Sequence, residues 1–368
     1  MGFDSGKVGF RLFYLQEEYD SSLVEKFAEN IAPPVESLDM GAITGWVGGR
    51  YLLDREISDA TCVIGSYLYV QLFKAERKIP PQLLRAFAKR EEFIAMKAAG
   101  TSFLPRKEKT AIKERLTAEL LPKMPPTLSG IPVVVDFRNQ LLVAEALSDK
   151  QIDALCPAFK AVAGSVPILL TPETAALKRK QINANDLDPV SFTPDASIPP
   201  SATPTLGQDF LTWLWYLWEK EGNVWHLEDG REFGLLLEGP VTFYRDGEGA
   251  HEALLRKGTP LNSAEAGTAL LCGKKVKKLK LSVAQGEDVF ECTFDDEFAF
   301  RSVKLPKGQQ KDFEPRVEER MLFIETFFTA VLTLFDKFLD LRSSPSSWRK
   351  TVGNIQKWVQ NVGTIREE

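Results

Sequence analysis

The stretch PPQLLRAFAKREEFIAMKAAGTSFLPRKEKTAIKERLTAELLP, residues 80–122, predicts two helices joined by a short turn. Proline opens each helix and Gly100 follows the first, because proline fits a first helical turn and glycine fits the position past a helix end. The segments on either side, 61–77 and 131–147, are rich in β-branched and aromatic residues and predict strands. We therefore expect a helical hairpin, residues 80–123, that projects from a sheet.

The second helix of this stretch begins with a cluster of basic residues, Arg106, Lys107 and Lys109. The amino end of a helix carries partial positive charge, so basic side chains there cost roughly a few tenths of a kcal/mol each. Arg106, Lys109 and Lys113 are spaced three and four residues apart and form one stripe without an acidic neighbour on their own helix. A solvated helix face explains such a stripe, and contact with the phosphates of a nucleic acid explains it equally well.

The distribution of charge favours a local anion-binding surface on an otherwise acidic protein. The chain has 368 residues and a formal net charge of −5. Residues 71–123 contain thirteen Lys or Arg against six Glu, a net charge of +7, which leaves the remainder at −12. A basic segment on an acidic body attracts a polyanion at one place and repels it elsewhere.

The cysteines, the histidines and the apolar runs argue against several other classes of protein. The four cysteines lie far apart and only two histidines are present, so the sequence predicts no zinc site, no disulfide framework, no cofactor and a reducing, cytoplasmic location. The most apolar stretch, 321–339, contains Glu325, Asp336 and Lys337 and predicts a buried or interface helix, because a spanning helix needs about twenty largely uncharged residues. No membrane association is expected, and the first residues show no apolar run of the signal-peptide type.

The order of the predicted elements gives an α+β fold with mixed or antiparallel sheets. A mixed pattern of helices and strands stands on both sides of a proline-rich segment, so two sheet-containing domains are expected. The last predicted helix carries Trp348, Ile355 and Val359 on one side and is expected to dock on the body or on a partner subunit. The predicted division is an α+β domain at 1–79 and 124–182, the projecting helical hairpin at 80–123, a Pro-rich linker at 183–208, a second α+β domain with a long helix at 209–342, and an additional C-terminal helix at 343–368.

A second basic segment, GKKVKKLKLSV at 273–283, places five lysines within seven positions. As a strand it would place Lys274, Lys278 and Lys280 on one face together with Val276. Lysines on an edge strand protect a sheet from aggregation, which is the structural explanation, and contact with a nucleic-acid backbone is the functional one.

Two weaker signals concern a loop and an aromatic helix. Arg256 and Lys257 stand directly before Gly258, either as a finger that reaches toward a groove or as ordinary solvated loop residues. The segment FLTWLWYLWEK, 210–220, offers aromatic rings of the kind on which single-strand binders stack bases. Its helical spacing favours a core or a dimer interface instead.

Carboxylates near strand ends leave a metal-dependent nuclease open as an alternative. Asp136 ends one predicted strand, and Asp295, Asp296 and Glu297 cluster near another. Such groups bind divalent metal ions in hydrolytic enzymes, and they also serve as turn and cap residues. The sequence contains no phosphate loop and no nucleophile elbow, so nothing else in it indicates an enzyme.

One further pattern runs in register from the amino end to about residue 342, through the segments LDMGAITGWV, KAERKIPPQLLRAF, RKEKTAIKERLTAELLPK, VVVD, AGSVPILLTPE, FLTWL, RKGTPLNSAE and GKKVKKLKLSV. These segments, in this order, resemble the RdgC family of bacterial recombination-associated DNA-binding proteins. The resemblance implies a horseshoe-shaped subunit that closes as a homodimeric ring around double-stranded DNA with little sequence preference. It also implies a nucleoid-associated protein that restrains the RecA recombinase and is not an enzyme, with a metal-dependent DNA exonuclease as the alternative.

Carried over motif by motif, the resemblance implies which basic residues meet the DNA. Residues of the helical hairpin would line the hole, residues of a protruding finger would reach the DNA, and residues of the lysine-rich strand would support the finger. In that order they are Arg106, Lys107, Lys109, Lys113 and Lys123, then Arg256 and Lys257, then Lys274, Lys278 and Lys280. Family members tend to carry an aromatic residue at a subunit interface where this chain has Met124 and Pro125. Single-stranded DNA is a second form of ligand to be considered.

Overall fold

The computed structural model describes residues 2–39, 41–226, 230, 232–247 and 249–362. It is a mixed α+β structure with a large antiparallel sheet, which confirms the predicted class. The strands are β1 (Val8–Tyr14), β2 (Ala42–Gly48), β3 (Val63–Ile64), β4 (Tyr67–Arg77), β5 (Pro126–Asp136), β6 (Leu141–Ala144), β7 (Ile168–Leu169), β8 (Val224–His226), β9 (Glu232–Tyr244), β10 (Glu252–Leu255), β11 (Lys275–Gln285), β12 (Asp288–Asp295) and β13 (Phe300–Lys304). The helices are α1 (Leu23–Ala28), α2 (Asp59–Cys62), α3 (Pro81–Ala99), α4 (Arg106–Leu120), α5 (Asp149–Ala163), α6 (Pro172–Lys180), α7 (Leu206–Glu221), α8 (Ala264–Leu271), α9 (Phe313–Arg342) and α10 (Pro345–Val359).

The sheet runs without interruption from the second half of the chain into the first. Its strands follow the order β10-β9-β11-β12-β13-β1-β6-β5-β4-β2, with β3, β7 and β8 paired beside this path. The junction is β1, which pairs with β13 on one side and with β6 on the other. Phe10 of β1 and Phe300 of β13 are register partners and stack with their ring centroids 4.8 Å apart. Hydrogen bonding therefore continues from one predicted domain into the other, and the division into domains stays a prediction.

Helices α3 and α4 are inserted between two strands that pair along their whole length, β4 and β5. α3 ends at Gly100, whose φ of +62° is the left-handed conformation that glycine adopts at little cost. α3 has no buried residue, and α4 buries only Leu116 and Leu120. These two helices therefore contact each other more than they contact the body. We call residues 81–120 the α3–α4 insertion.

A layer of aromatic helices covers the second half of the sheet. Trp213 and Trp215 of α7 are buried, which confirms the core interpretation for these two residues. α9 contributes a long series of buried apolar side chains, as the pattern at 321–339 predicted. Among the residues that the structure describes, no helix combines the length and the apolar character needed to cross a membrane.

Helix α10 docks on this layer, as its one-sided apolar pattern predicted. The residues of that side are buried: Trp348, Ile355 and Val359. Trp358 packs edge-on against Trp215 with ring centroids 5.0 Å apart, and both indole N–H groups donate to the carboxylate of Glu219. Residues 363–368 of the predicted C-terminal segment lie outside the described residues.

The proline-rich segment 183–208 is largely irregular, yet it is attached to the body. α7 begins at Leu206, inside this segment, whereas the second domain was expected to begin at residue 209. Phe192 is buried, and the amide of Gln356 in α10 donates to the carbonyl groups of Ser191 and Thr193 at 3.2 and 3.3 Å. These contacts attach residues 191–193 of the proline-rich segment to helix α10.

Candidate nucleic-acid interface

The amino-terminal part of α4 presents a row of cations without ion-pair partners. Arg106, Lys107 and Lys113 are exposed, and Lys109 is half-exposed with its Nζ 5.5 Å from the ring centre of Phe103. None of the four cations forms a salt bridge within the described residues. No side chain caps the start of the helix. We call Arg106, Lys109 and Lys113 the α4 cationic stripe.

Other cations of the same region are compensated. Arg115 pairs with Glu91 of α3 at 2.9 Å, and Lys123 pairs with Glu119 at 3.1 Å. Exposed pairs of this kind stabilise a protein by about 1 kcal/mol or less. They nevertheless supply each of these cations with an internal carboxylate. Lys123 therefore differs from the stripe residues, although the family resemblance implied DNA contact for all of them.

The lysine-rich strand β11 lies inside the sheet, between β9 and β12. The explanation of its lysines as protection of a sheet edge is therefore wrong. Its register with β9 shifts after Val276 and again after Lys278, which indicates bulges in the strand. Val276 is buried like Leu279 and Leu281, so its expected place on the lysine face is also wrong.

Lys280 is held by carboxylates on both neighbouring strands. Its Nζ lies 2.8 Å from an oxygen of Glu238 on β9 and 3.1 Å from an oxygen of Glu291 on β12. Glu291 also pairs with Lys304 at 2.9 Å, and hydrogen bonds from Lys304 and Lys280 lower the pKa of Glu291 to about 2. The charge of Lys280 is thus compensated within the protein.

Lys275 of the same strand belongs to the core. Its side chain is almost fully buried, with Nζ 2.5 Å from Oδ1 of Asp209 and 2.8 Å from the hydroxyl of Thr205. Both partners come from the region where α7 begins. This lysine therefore joins α7 to the sheet and is not available to an external anion.

The other cations that the resemblance assigned to DNA contact are accessible to solvent. They lie near strands that are far, in the strand order, from the strands next to the α4 cationic stripe. Arg256 and Lys257 are exposed in the loop after β10, and Lys274 and Lys278 are half-exposed. None of these four forms a salt bridge within the described ranges. β10 stands at one end of the strand order, whereas the α3–α4 insertion leaves β4 and β5 near the other end. The structure therefore has two separate cationic regions.

The exposed apolar residues of the α3–α4 insertion were not singled out from the sequence. Phe93, Ile94 and Phe103 have exposed fractions of 68%, 56% and 70%. Phe103 lies in the short turn between two charged helices, and a large apolar residue in such a turn is the sequence signal that could have identified it as exposed. Large apolar side chains exposed on the same part of a surface can mark an interaction site.

Asp136 has the surroundings of a turn residue. It is buried at the end of β5, where one carboxylate oxygen accepts hydrogen bonds from the backbone N–H groups of Arg138 and Asn139 at 2.9 and 3.1 Å. The other oxygen accepts from the side-chain amide of Asn139 at 2.7 Å. This carboxylate therefore fixes the connection between β5 and β6.

The side chains of the second carboxylate cluster, residues 295–297, do not converge on one point. Asp295 binds Arg301 at 2.9 Å, Glu297 binds Arg11 at 2.5 Å, and Asp296 accepts from Gln208 at 2.9 Å. Burial raises the pKa of Asp296 to about 6. Across the described residues, no three His, Cys, Asp or Glu side chains are arranged so that they could hold a metal ion.

Fold and surface together define an antiparallel α+β protein with two separate cationic regions. Residues 10–181 match the family model described as "Putative exonuclease, RdgC". The chain is also similar to the "Recombination-associated protein RdgC" of Psychromonas ingrahamii, with 25% identity over 154 residues. That alignment covers 41% of this chain and 49% of the relative, so the chain spans about half the length of the curated relative that it matches. Both findings agree with the resemblance to the RdgC family that the sequence motifs indicated, over slightly less than half of the chain.

Proposed function

We propose that this chain is a sequence-nonspecific double-stranded DNA-binding protein that encircles DNA as a homodimer and restrains RecA-dependent recombination. The match of residues 10–181 to the family model and the name of the curated relative, a recombination-associated protein, support this function. The observation that carries the proposal is the α4 cationic stripe. Its side chains have no carboxylate partner within the described residues, and two of them, Arg106 and Lys109, stand in the first turn of α4, at the positive end of the helix.

A DNA backbone supplies the anions that the stripe lacks. Phosphates beside the stripe offset the unfavourable interaction of its cations with the helix dipole, and their neutralisation releases condensed counterions. Contacts to phosphates position a protein without reading bases, so binding depends little on sequence. Arg256, Lys257, Lys274 and Lys278 contribute a second set of such contacts at the other end of the strand order.

The exposed apolar residues support closure of a ring by a second copy of the chain. Phe93, Ile94 and Phe103 leave a substantial apolar surface on an insertion that buries little against its own body. Covering such a surface with the same surface of a partner removes it from water. Where family members tend to have an interface aromatic, Met124 instead accepts a hydrogen bond from Arg77 through its carbonyl group. In the proposed interface, Phe93 and Phe103 would take the place of that aromatic residue.

Binding to duplexes of about 40 base pairs in EDTA tests the DNA-binding proposal. The stripe variant is Arg106→Ala/Lys109→Ala/Lys113→Ala, and the matched control variant is Lys26→Ala/Lys160→Ala/Lys350→Ala, which removes three exposed lysines from other helices. Wild type and control should bind two duplexes of unrelated sequence with similar affinity, and the stripe variant should bind both more weakly. Failure of wild type to bind either duplex at low salt would refute the proposal.

A comparison of nicked circular and linear DNA tests encirclement and its consequence. Loaded protein should survive a high-salt challenge on circles and be lost from linear DNA, because a closed ring leaves a linear molecule through its ends. Phe93→Ser/Phe103→Ser should abolish this difference. RecA-catalysed strand exchange on coated duplex should slow with wild type but not with the stripe variant. Equal retention on circles and linear DNA would contradict the ring.

The alternative function is a metal-dependent DNA exonuclease, and the description of the matched family model includes the words "putative exonuclease". Incubation of end-labelled DNA with Mg²⁺ or Mn²⁺ tests it. Product shortening that disappears in Asp136→Asn, a change that retains one acceptor oxygen for the turn, would favour the nuclease. Shortening that persists in this variant and in Asp296→Asn would point to a contaminating enzyme.

A further inference from the structure

A cavity of about 340 Å³ lies beside the loop that carries Arg256 and Lys257. β8 pairs with the beginning of β9 and β10 pairs with its end, so the middle of β9 has a free edge between them. The cavity occupies this place, and its walls come from β9, residues 258–262, α7 and β11. A Cβ atom at Gly239 would lie 2.3 Å from a ring carbon of Pro260, so the loop is pressed against β9 there.

The walls combine a large aromatic side chain with a few polar groups. Trp218 is half-buried, unlike the two buried tryptophans of the same helix; its Nε1 atom is buried without a hydrogen-bond partner in the described structure, so the residue contributes its ring surface to the wall. Asn262 is exposed on the loop. On the sheet, the carboxylate of Glu238 and the ammonium group of Lys280 are paired at 2.8 Å. The lining therefore offers a stacking surface with hydrogen-bond donors and acceptors, and its lysine is already paired with a carboxylate.

We infer that this cavity receives one unpaired nucleobase of DNA that is bound to the adjacent loop. The inference rests on the proposed DNA-binding function and extends it to the form of DNA that is preferred. Bases stack on aromatic side chains, and their edges form hydrogen bonds with side-chain amides and carboxylates. Trp218, Asn262 and the Glu238–Lys280 pair supply these groups at one place. Because Lys280 is already compensated, the cavity suits a neutral heterocycle better than a phosphate.

The cavity lies beside two exposed cations that can hold the DNA backbone next to a bound base. Arg256 and Lys257 are exposed next to Gly258, a residue of the cavity wall, so they hold the backbone that flanks the bound base. A base that is stacked in a duplex must first leave the helix, and this step costs least for a bulged or single-stranded base. The protein should therefore prefer duplexes that contain an unpaired base.

The test compares two duplexes of about 40 base pairs in EDTA, one fully paired and one with a single bulged 2-aminopurine. Wild type should bind the bulged duplex about 5- to 150-fold more tightly, the range expected for stacking of one base on an aromatic side chain. The fluorescence of the bulged base should fall on binding. Trp218→Leu and Asn262→Ala should lose this preference and keep wild-type affinity for the paired duplex. The matched control is Asn354→Ala, which removes an exposed side-chain amide of α10 and should behave as wild type.

The outcomes separate this inference from the proposed function. Equal affinity of wild type for both duplexes would overturn the base-binding site and leave nonspecific DNA binding intact. Persistence of the preference in both Trp218→Leu and Asn262→Ala would overturn it as well. Absence of binding to either duplex at low salt would refute the proposed function, and the inference would fall with it. Asn262 is exposed, so its replacement tests the site without disturbing the core.

Discussion

Two lysines of β11 form ion pairs of different kinds, and at the scale of single residues their energetic roles differ. Lys275 and Asp209 are both buried, with Nζ and Oδ1 2.5 Å apart. Each charge has lost its hydration, so each depends on the other for compensation. Lys280 and its carboxylate partners remain in contact with solvent. Their attraction is screened, and it contributes little to stability.

Removal of one partner should therefore be much more harmful at the buried pair. Asp209→Ala leaves the ammonium group of Lys275 uncompensated in the core and should lower the free energy of unfolding by about 3–5 kcal/mol. Glu238→Ala, the control at the exposed pair, should lower it by about 1 kcal/mol or less. Urea denaturation measures both values, and equal losses would contradict the assignment of different roles.

Glu145 gives stability a pH dependence. Burial raises its pKa from 4.5 to about 7, and its Oε1 has no hydrogen-bond partner in the described structure. A carboxyl group whose pKa is higher in the folded state binds more protons there, so its contribution falls as pH rises from about 4.5 to about 7. Glu145→Gln should raise the free energy of unfolding at about pH 8 by roughly 1–2 kcal/mol, after allowance for solvent screening. Denaturation near pH 5 and near pH 8 tests this, and a variant-minus-wild-type difference that does not grow with pH would contradict it.

The sequence could reveal the abundance of cations but not which of them are paired. The partners of Lys275 and Lys280 come from segments far away in the chain, so only the folded structure brings them together. The stripe on α4 is different, because spacing along a single helix determines which of its residues are neighbours. Local geometry was therefore predictable, and pairing between distant segments was not.

At the scale of secondary-structure elements, proline and glycine were the most informative residues. They located both ends of α3 and the start of α4, because these residues restrict or permit particular backbone angles. α6 was missed, although Thr171 caps it and Pro172 opens it in the usual manner. The bulges of β11 were also missed, since alternation along a sequence does not record an inserted residue.

The end of α3 provides a direct test at this scale. Gly100→Ala forces a side chain into a left-handed conformation and should destabilise the end of the helix by about 1–2 kcal/mol. Gly353→Ala, inside α10 with nothing near its Cβ position, should instead stabilise its helix by about 0.5–1 kcal/mol. Hydrogen exchange in the two helices measures both effects. Faster exchange of α10 or unchanged exchange of α3 would contradict them.

At the scale of the whole molecule, the continuous sheet separates the strands next to which the two cationic regions lie. Eight strand spacings of about 4.8 Å separate β10 from β4, which is roughly 40 Å along the sheet. Double-stranded DNA carries one negative charge per about 1.7 Å of its axis, so a duplex of modest length offers phosphates to both regions. The rest of the surface is acidic on balance and would repel DNA, so the proposed binding would be confined to these two regions.

The salt dependence of duplex affinity tests the central claim most directly. Each phosphate contact contributes about 0.9 to the slope of log affinity against log salt concentration, so loss of three contacts should reduce the slope by about 2.7 per subunit. The stripe variant Arg106→Ala/Lys109→Ala/Lys113→Ala should show this reduction together with weaker binding. The control variant Lys26→Ala/Lys160→Ala/Lys350→Ala should keep the wild-type slope. A stripe variant that binds with the affinity and slope of wild type would show that the stripe is only a solvated helix face.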